Sequence, residues 1–159
     1  MVSAHVGDSR IYLLREHEPL VRLTQDDGLL AILIQSQTIS EMDALRIDQA
    51  TDASQLSETE LDYFNKRYGV TQMLGDEQPP AIHVQQTPLL PGDRILLCSD
   101  GIHDNLLDQE IEALLRNGAS EAVARLCVES AVRRSHQDST TTIRAKLDDV
   151  SALVITYHR

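Results

Sequence analysis

Three aspartates stand at corners beside apolar runs: Asp8 in AHVGDSR, Asp100 in RILLCSDGIHD and Asp148 in KLDDVSALVI. The end of a strand is a rigid platform, so residues far apart in sequence can be carried to one place on it. Carboxylate oxygens are hard donors that suit Mg2+ or Mn2+, ions that keep several of their waters when bound. The chemistry open to this trio is therefore a shared divalent-cation centre. Taken singly, each corner has a plainer explanation, because Asp and Gly make turns without any ligand. What separates the two readings is the order and context of all three.

The surrounding elements follow from residue pattern. VSAHV and IYLL bracket GDSR, which reads as an opening hairpin with Gly7 and Asp8 at its turn. In LTQDDGLLAILIQSQ, Asp26 or Asp27 can cap a helix beginning near Leu29. Ser57 and Glu60 have capping-box spacing, and Leu61, Phe64 and Tyr68 share a face, which predicts a helix over residues 58 to 68 closed by Gly69. Between these, SEMDALRIDQATDASQ reads as a short helix and a polar connection. AIHVQQTPLL and RILLC read as strands parted by the Pro91-Gly92-Asp93 turn. Asp108 can cap a helix carrying Ile111, Leu114 and Leu115, and a second helix carries Val123, Leu126, Cys127 and Ala131. SHQDSTTTIRAK reads as an exposed loop before VSALVITY, whose apolar density predicts a largely buried strand. Strands lie before, between and after the helices without regular alternation, which predicts an α+β fold.

Composition narrows the partners. The 159 residues carry 14 Lys and Arg against 25 Asp and Glu, a formal charge of -11 that opposes nucleic acid and anionic membrane surfaces. No apolar run approaches the ~20 residues needed to span a bilayer, and MVSAHVGDSR lacks the pattern of an export signal. Cys98 and Cys127 sit in apolar stretches and read as reduced, packed thiols, which points to the cytoplasm. The six histidines form no zinc signature.

In order, AHVGDSRIYLL, LTQDDG, TQMLGDE, LLPGDRILLCSDGIHDNLLDQEI and DDVSALVI resemble the metal-dependent serine/threonine protein phosphatases of type 2C, the PPM family. GDS alone is a common fragment, but the order and the long match around PGDRILLCSDG are specific, and the resemblance covers almost the whole chain. It implies a β-sandwich flanked by helices with a metal centre at one edge. Asp100 and Asp148 match metal-binding aspartates of the principal binuclear centre, and Asp8 matches an acidic position that serves a further metal in bacterial members. Asp149 stands where the family commonly has Asn. The resemblance further implies Mn2+ or Mg2+ as cofactor, phosphoserine or phosphothreonine proteins as substrates, and a metal-activated water as nucleophile. Ser9, Ser99 and Cys98 are then structural neighbours of the corners.

The family also supplies an N-terminal segment with a phosphate-binding Arg and an Asp-Gly motif that bridges the two metals, and neither stands before VSAHVGDSR. Residues 1-159 are therefore expected to form the C-terminal portion of one such domain, a partial sandwich missing N-terminal strands. The strand at residues 2 to 6 is expected to present an edge open to self-association. The region between LTQDDG and TQMLGDE corresponds to the family's variable flap, which either shapes substrate access or merely covers core strands. His103 and Asp104 could influence a metal-bound water or serve structure alone. Two functions follow: a phosphatase domain with part of its site, or a noncatalytic regulatory or protein-binding module derived from the same fold.

Overall fold

The computed structural model describes residues 1–75, 77–138 and 142–158. Its strands are β1 (Val2–His5), β2 (Arg10–Leu14), β3 (Val21–Arg22), β4 (His83–Gln86), β5 (Arg94–Cys98) and β6 (Ala152–Thr156), and its helices are α1 (Leu29–Gln35), α2 (Glu41–Asp48), α3 (Glu58–Lys66), α4 (Asp100–His103), α5 (Asp108–Asn117) and α6 (Val123–Ser135). The α+β expectation holds. Among the described residues no helix is long and apolar enough to cross a membrane.

β2 and β5 are the centre of a four-stranded antiparallel sheet in the order β3-β2-β5-β6. Every residue of β2 is buried, as a strand covered on both faces must be. One sheet face, through Tyr12, Leu14, Leu96 and Cys98, packs on Ile102, Leu106, Ile111, Leu115, Val123, Cys127 and Ala131 from the α4–α6 layer. This is the main core. Opposite it, Ile11, Leu13 and Ile95 form a smaller cluster with Met1, Leu23, Leu89 and Leu97 at its margin. A third cluster of Ile47, Ala50 and Phe64 stabilises the α1–α3 segment. Cys98 and Cys127 are unpaired and buried, and burial pushes their thiols up to about 12 and about 11, which leaves them inert.

Several sequence expectations are corrected. β1 and β2 do not form a hairpin: β1 pairs with β4 in a separate two-stranded sheet, while β2 joins the larger one. Gly7, at φ +84°, lets the chain cross between sheets at GDSR, and its N–H donates to the Asp27 carboxylate at 2.9 Å. Asp27 is thereby diverted from capping α1, Asp26 is held instead by Arg10, and the cap is Gly28. Asp108 likewise does not cap α5. Leu107 holds that position, and Asp108 accepts the Tyr12 hydroxyl at 2.9 Å. The two strands around Pro91-Gly92-Asp93 lie in different sheets, β4 with β1 and β5 with β2 and β6.

β6 is not largely buried either. It is an edge strand whose alternate residues Leu153 and Ile155 are 56% and 44% exposed, because nothing covers its outer face among the described residues. An apolar groove of about 640 Å³ reaches Leu153 and is also lined by Ala4, Val6, Ile11 and Leu97. The loop before β6 was expected to be exposed, yet Arg144 is fully buried and donates to the carbonyls of Asp48, Ala50, His103 and Leu106. Ser139 to Thr141 of that loop lie outside the described residues. The Ser57–Glu60 capping box is present, and Ser40 with Asp43 forms another at the start of α2.

Candidate metal centre

β5 ends at Cys98, and Asp100 opens the α4 turn immediately beyond it. Asp148 precedes β6, which runs alongside β5 with Cys98 opposite Ala152. Antiparallel pairing therefore brings two corners 48 positions apart in sequence to the same edge of the sheet. Ser99 fixes the approach: its hydroxyl donates to the Asp149 carbonyl at 3.1 Å and accepts from Ser151 N–H at 3.0 Å. That is the structural role expected of Ser99.

The centre of the site is a lysine. The Lys146 ammonium reaches Asp100 Oδ2 at 2.9 Å, Asp104 Oδ2 at 2.7 Å and Asp148 Oδ2 at 2.8 Å. It also lies 4.3 Å from the centroid of the Tyr68 ring, a cation–π distance. Burial alone would lower the Lys146 pKa, but the hydrogen bonds to Asp104, Asp148 and Asp100 outweigh it and hold the group protonated. In return Lys146 draws the Asp148 carboxyl below its ordinary value. Burial lifts that of Asp104 against the opposing pull of Arg67, whose Nε stands 3.8 Å from Oδ1.

Asp8 lies beside this group. Burial first, then the charges of Asp100, Asp26 and Asp104, push its carboxyl up to about 6. Its carbonyl is 3.0 Å from Nε2 of His103, a buried ring kept neutral chiefly by desolvation and then by nearby Arg10. His103 therefore anchors the Asp8 corner from within the core. Of the three aspartates singled out by sequence, Asp100 and Asp148 share a direct partner, and Asp8 is coupled through charge to Asp100.

Sequence reasoning weighed Asp104 beside His103 but missed Lys146 and the ion pair that joins the two. The signals were there: Asp104 stands four residues after Asp100, one helical turn on, and Lys146 stands two residues before Asp148, the same side of an extended chain. The donors have the chemistry of a Mg2+ or Mn2+ site. Their arrangement does not fit such an ion as it stands. Three carboxylates spread around a nitrogen at 2.7–2.9 Å form a wider cage than the ~2.0–2.1 Å shell that Mg2+ demands. Among the described residues no group of three or more His, Cys, Asp or Glu converges to hold a metal.

Comparison with known proteins gives the same relatives by sequence and by shape. A family model described as Stage II sporulation protein E (SpoIIE) matches residues 57–158. The chain is 32% identical over 146 residues to the serine/threonine protein phosphatase PstP of Mycobacterium tuberculosis, covering 91% of this chain and 24% of that protein. It superposes on the crystal structure of the M. tuberculosis serine/threonine phosphatase PstP/Ppp with a TM-score of 0.69 and 25% identity, over 99% of this chain and 55% of that one. A structure of the catalytic domain of PstP in complex with two manganese ions gives a TM-score of 0.60 and 26% identity, over 96% and 51% of the two chains. The chain thus spans about a quarter of the curated relative and about half of each solved structure.

Proposed function

Because the chain belongs to the SpoIIE-like, type 2C (PPM) family of protein phosphatases, we propose that it is the C-terminal portion of a catalytic domain that hydrolyses phosphoserine and phosphothreonine in proteins. The observation that carries this reading is the convergence of Asp100 and Asp148 on one cation at the edge of the sheet. In that reading, Asp100 and Asp148 would hold Mn2+ or Mg2+, and Asp8 would serve a further ion. A divalent ion there would supply a water of lowered pKa and would neutralise charge on the phosphate. This chain's own residues set the stage for that chemistry. Ser99 and the β5–β6 pairing hold the two carboxylates in register, and the neutral His103 ring pins the backbone at Asp8. The two buried free thiols suit the reducing cytoplasm.

The test is metal-dependent hydrolysis of a phosphothreonine peptide. It compares the 159-residue chain with the same chain inside a polypeptide that supplies the other half of the fold spanned by its structural relatives. Turnover is expected in the longer form with Mn2+, and Asp100→Asn there should lower it at least ~10-fold, as removal of a group that acts on the transition state does. Turnover indifferent to chelation or to Asp100→Asn would refute the assignment. A noncatalytic binding module is the second reading, and one observation favours it: Lys146 already fills the carboxylate cage.

The partner reading includes self-association of this chain. Among the described residues β1 pairs on one side only, with β4, and Val2, Ile82 and Val84 on or beside that sheet and Leu153 and Ile155 on β6 leave apolar side chains exposed. Open edges and bare apolar faces favour strand addition or face-to-face stacking. Sedimentation velocity across a wide concentration range should show the 159-residue chain shifting to larger species as concentration rises. A monomer at every concentration would count against this.

A further inference from the structure

Lys146 is built into its position. Its backbone N–H donates to Asn105 Oδ1 at 3.1 Å, and its carbonyl accepts from Asn105 Nδ2 at 3.0 Å. Asn105 is fully buried and donates again to the Gly101 carbonyl at 2.9 Å, which ties Lys146 to the corner that carries Asp100. An ammonium has three donors, and each meets a different carboxylate. The cage still opens to solvent, since the side chains of Lys146, Asp100 and Asp148 are 20%, 25% and 32% exposed. A tethered cation thus sits where dissolved cations can compete for the same oxygens.

We propose that Lys146 is an intramolecular counter-ion that occupies the cation position among Asp100, Asp104 and Asp148, so that a divalent ion binds these carboxylates only by displacing the lysine ammonium. The inference rests on the reading of Asp100 and Asp148 as metal ligands. It goes beyond that reading by making metal occupancy a competition decided within the chain. When a competent state is populated only in part, apparent affinity falls by that fraction, so a lysine seated ~90% of the time weakens metal binding ~10-fold. The lysine also serves the metal-free protein. Without it, the part-exposed carboxylates of Asp100 and Asp148 and the buried Asp104 would face one another, with Arg67 near Asp104.

The experiment is Mn2+ binding, followed by calorimetry and by the electron paramagnetic resonance of free Mn2+, on the wild-type chain and on Lys146→Met, Lys146→Gln, Lys146→Arg and Asp100→Asn. Lys146→Met is expected to bind Mn2+ at least ~10-fold more tightly than wild type. Lys146→Arg, which keeps the charge, should gain nothing, and adding Asp100→Asn to Lys146→Met should remove the gain. Equal binding by wild type and Lys146→Met, lost in both on Asp100→Asn, would overturn the inference while leaving Asp100 a ligand. No Asp100-dependent binding in any variant would overturn both. Lys146→Gln replaces the Met variant if that one does not fold. The wild-type chain gives an independent readout in the side-chain ammonium resonance of Lys146. Mg2+ should release that group to fast exchange, and a protected resonance in saturating Mg2+ would also overturn the inference.

Discussion

Asp48→Ala is expected to cost about 3–5 kcal/mol of folding stability, the range for removing one partner of a buried charge network. Asp48 ends α2 and is buried. Its carboxylate accepts Arg10 Nη2 at 3.1 Å, with Arg22 Nη1 at 3.9 Å, and its carbonyl accepts Arg144 Nη1 at 2.5 Å. Arg10 is itself buried and is also held by Asp26 at 2.5 Å and by the Tyr12 hydroxyl at 3.2 Å. Alanine would leave the Arg10 guanidinium with Asp26 and the Tyr12 hydroxyl, and would remove the carboxylate that most offsets burial at Arg144, whose pKa is already drawn down to about 10. For a chain of this length the loss corresponds to a fall in melting temperature on the order of 10 °C. Asp48→Asn, which keeps an acceptor, should lose less.

The same residue sets a pH signature. Burial would raise the Asp48 pKa, but Arg10 first, then Arg144 and Arg22, hold it well below the ordinary carboxylate value. A depressed folded pKa means that the unfolded chain takes up the proton first as pH falls. The stabilisation is therefore complete above the unfolded value of ~3.9 and drains away below it. The gap in stability between wild type and Asp48→Ala should be flat from pH 5 to 8, on the order of the full effect, and should narrow below ~4. Urea unfolding at a series of pH values measures it. A gap that is small at neutral pH, or that widens on acidification, would count against the network as described.

How far the sequence showed this structure depends on the range of the forces involved. Local signals were read well. The Ser57–Glu60 box starts α3, and Gly92 at φ +94° makes the turn before β5. Failures came where a distant partner outbid a local one. Asp26 has the residue type and place of a helix cap, but buried Arg10 takes it into an ion pair. GDSR has the composition of a hairpin turn, but it connects two sheets, because β1 finds β4 some 80 positions away. VSALVITY reads as largely buried because apolar density cannot tell a strand covered on both faces from one with a bare face. In the site, Asp100 and Asp148 were legible through the resemblance of their motifs, whereas the cage that joins them was not. A lysine among aspartates in KLDD looks like a solvated run, and only the β5–β6 register and the Asn105 clamp turn it inward.

Gly101→Ala should destabilise the protein by about 1–3 kcal/mol, the ordinary cost of overpacking. Helix propensity alone gives the opposite sign. Gly101 lies in the α4 turn, where alanine would gain up to about 1 kcal/mol over glycine. Packing decides the matter. A Cβ at this position would sit 2.5 Å from the Asp149 carbonyl oxygen, 3.1 Å from its carbon and 3.1 Å from Val150 Cγ2. That backbone cannot easily retreat, since Ser99 holds it through its hydroxyl on both sides and through its N–H on the Ser151 carbonyl at 3.1 Å, and β6 is then zipped to β5. Relief must come from spreading the Asp100 corner away from Asp148, the two carboxylates that Lys146 bridges. The substitution should therefore also weaken whatever cation the cage holds. Gly69→Ala is the control, because its Cβ would meet only the Lys66 carbonyl at 3.4 Å, and it should stay within about 1 kcal/mol of wild type. Denaturant unfolding of both variants gives the comparison, and a Gly101→Ala protein as stable as wild type would mean that the two corners are not in the close contact on which the site depends.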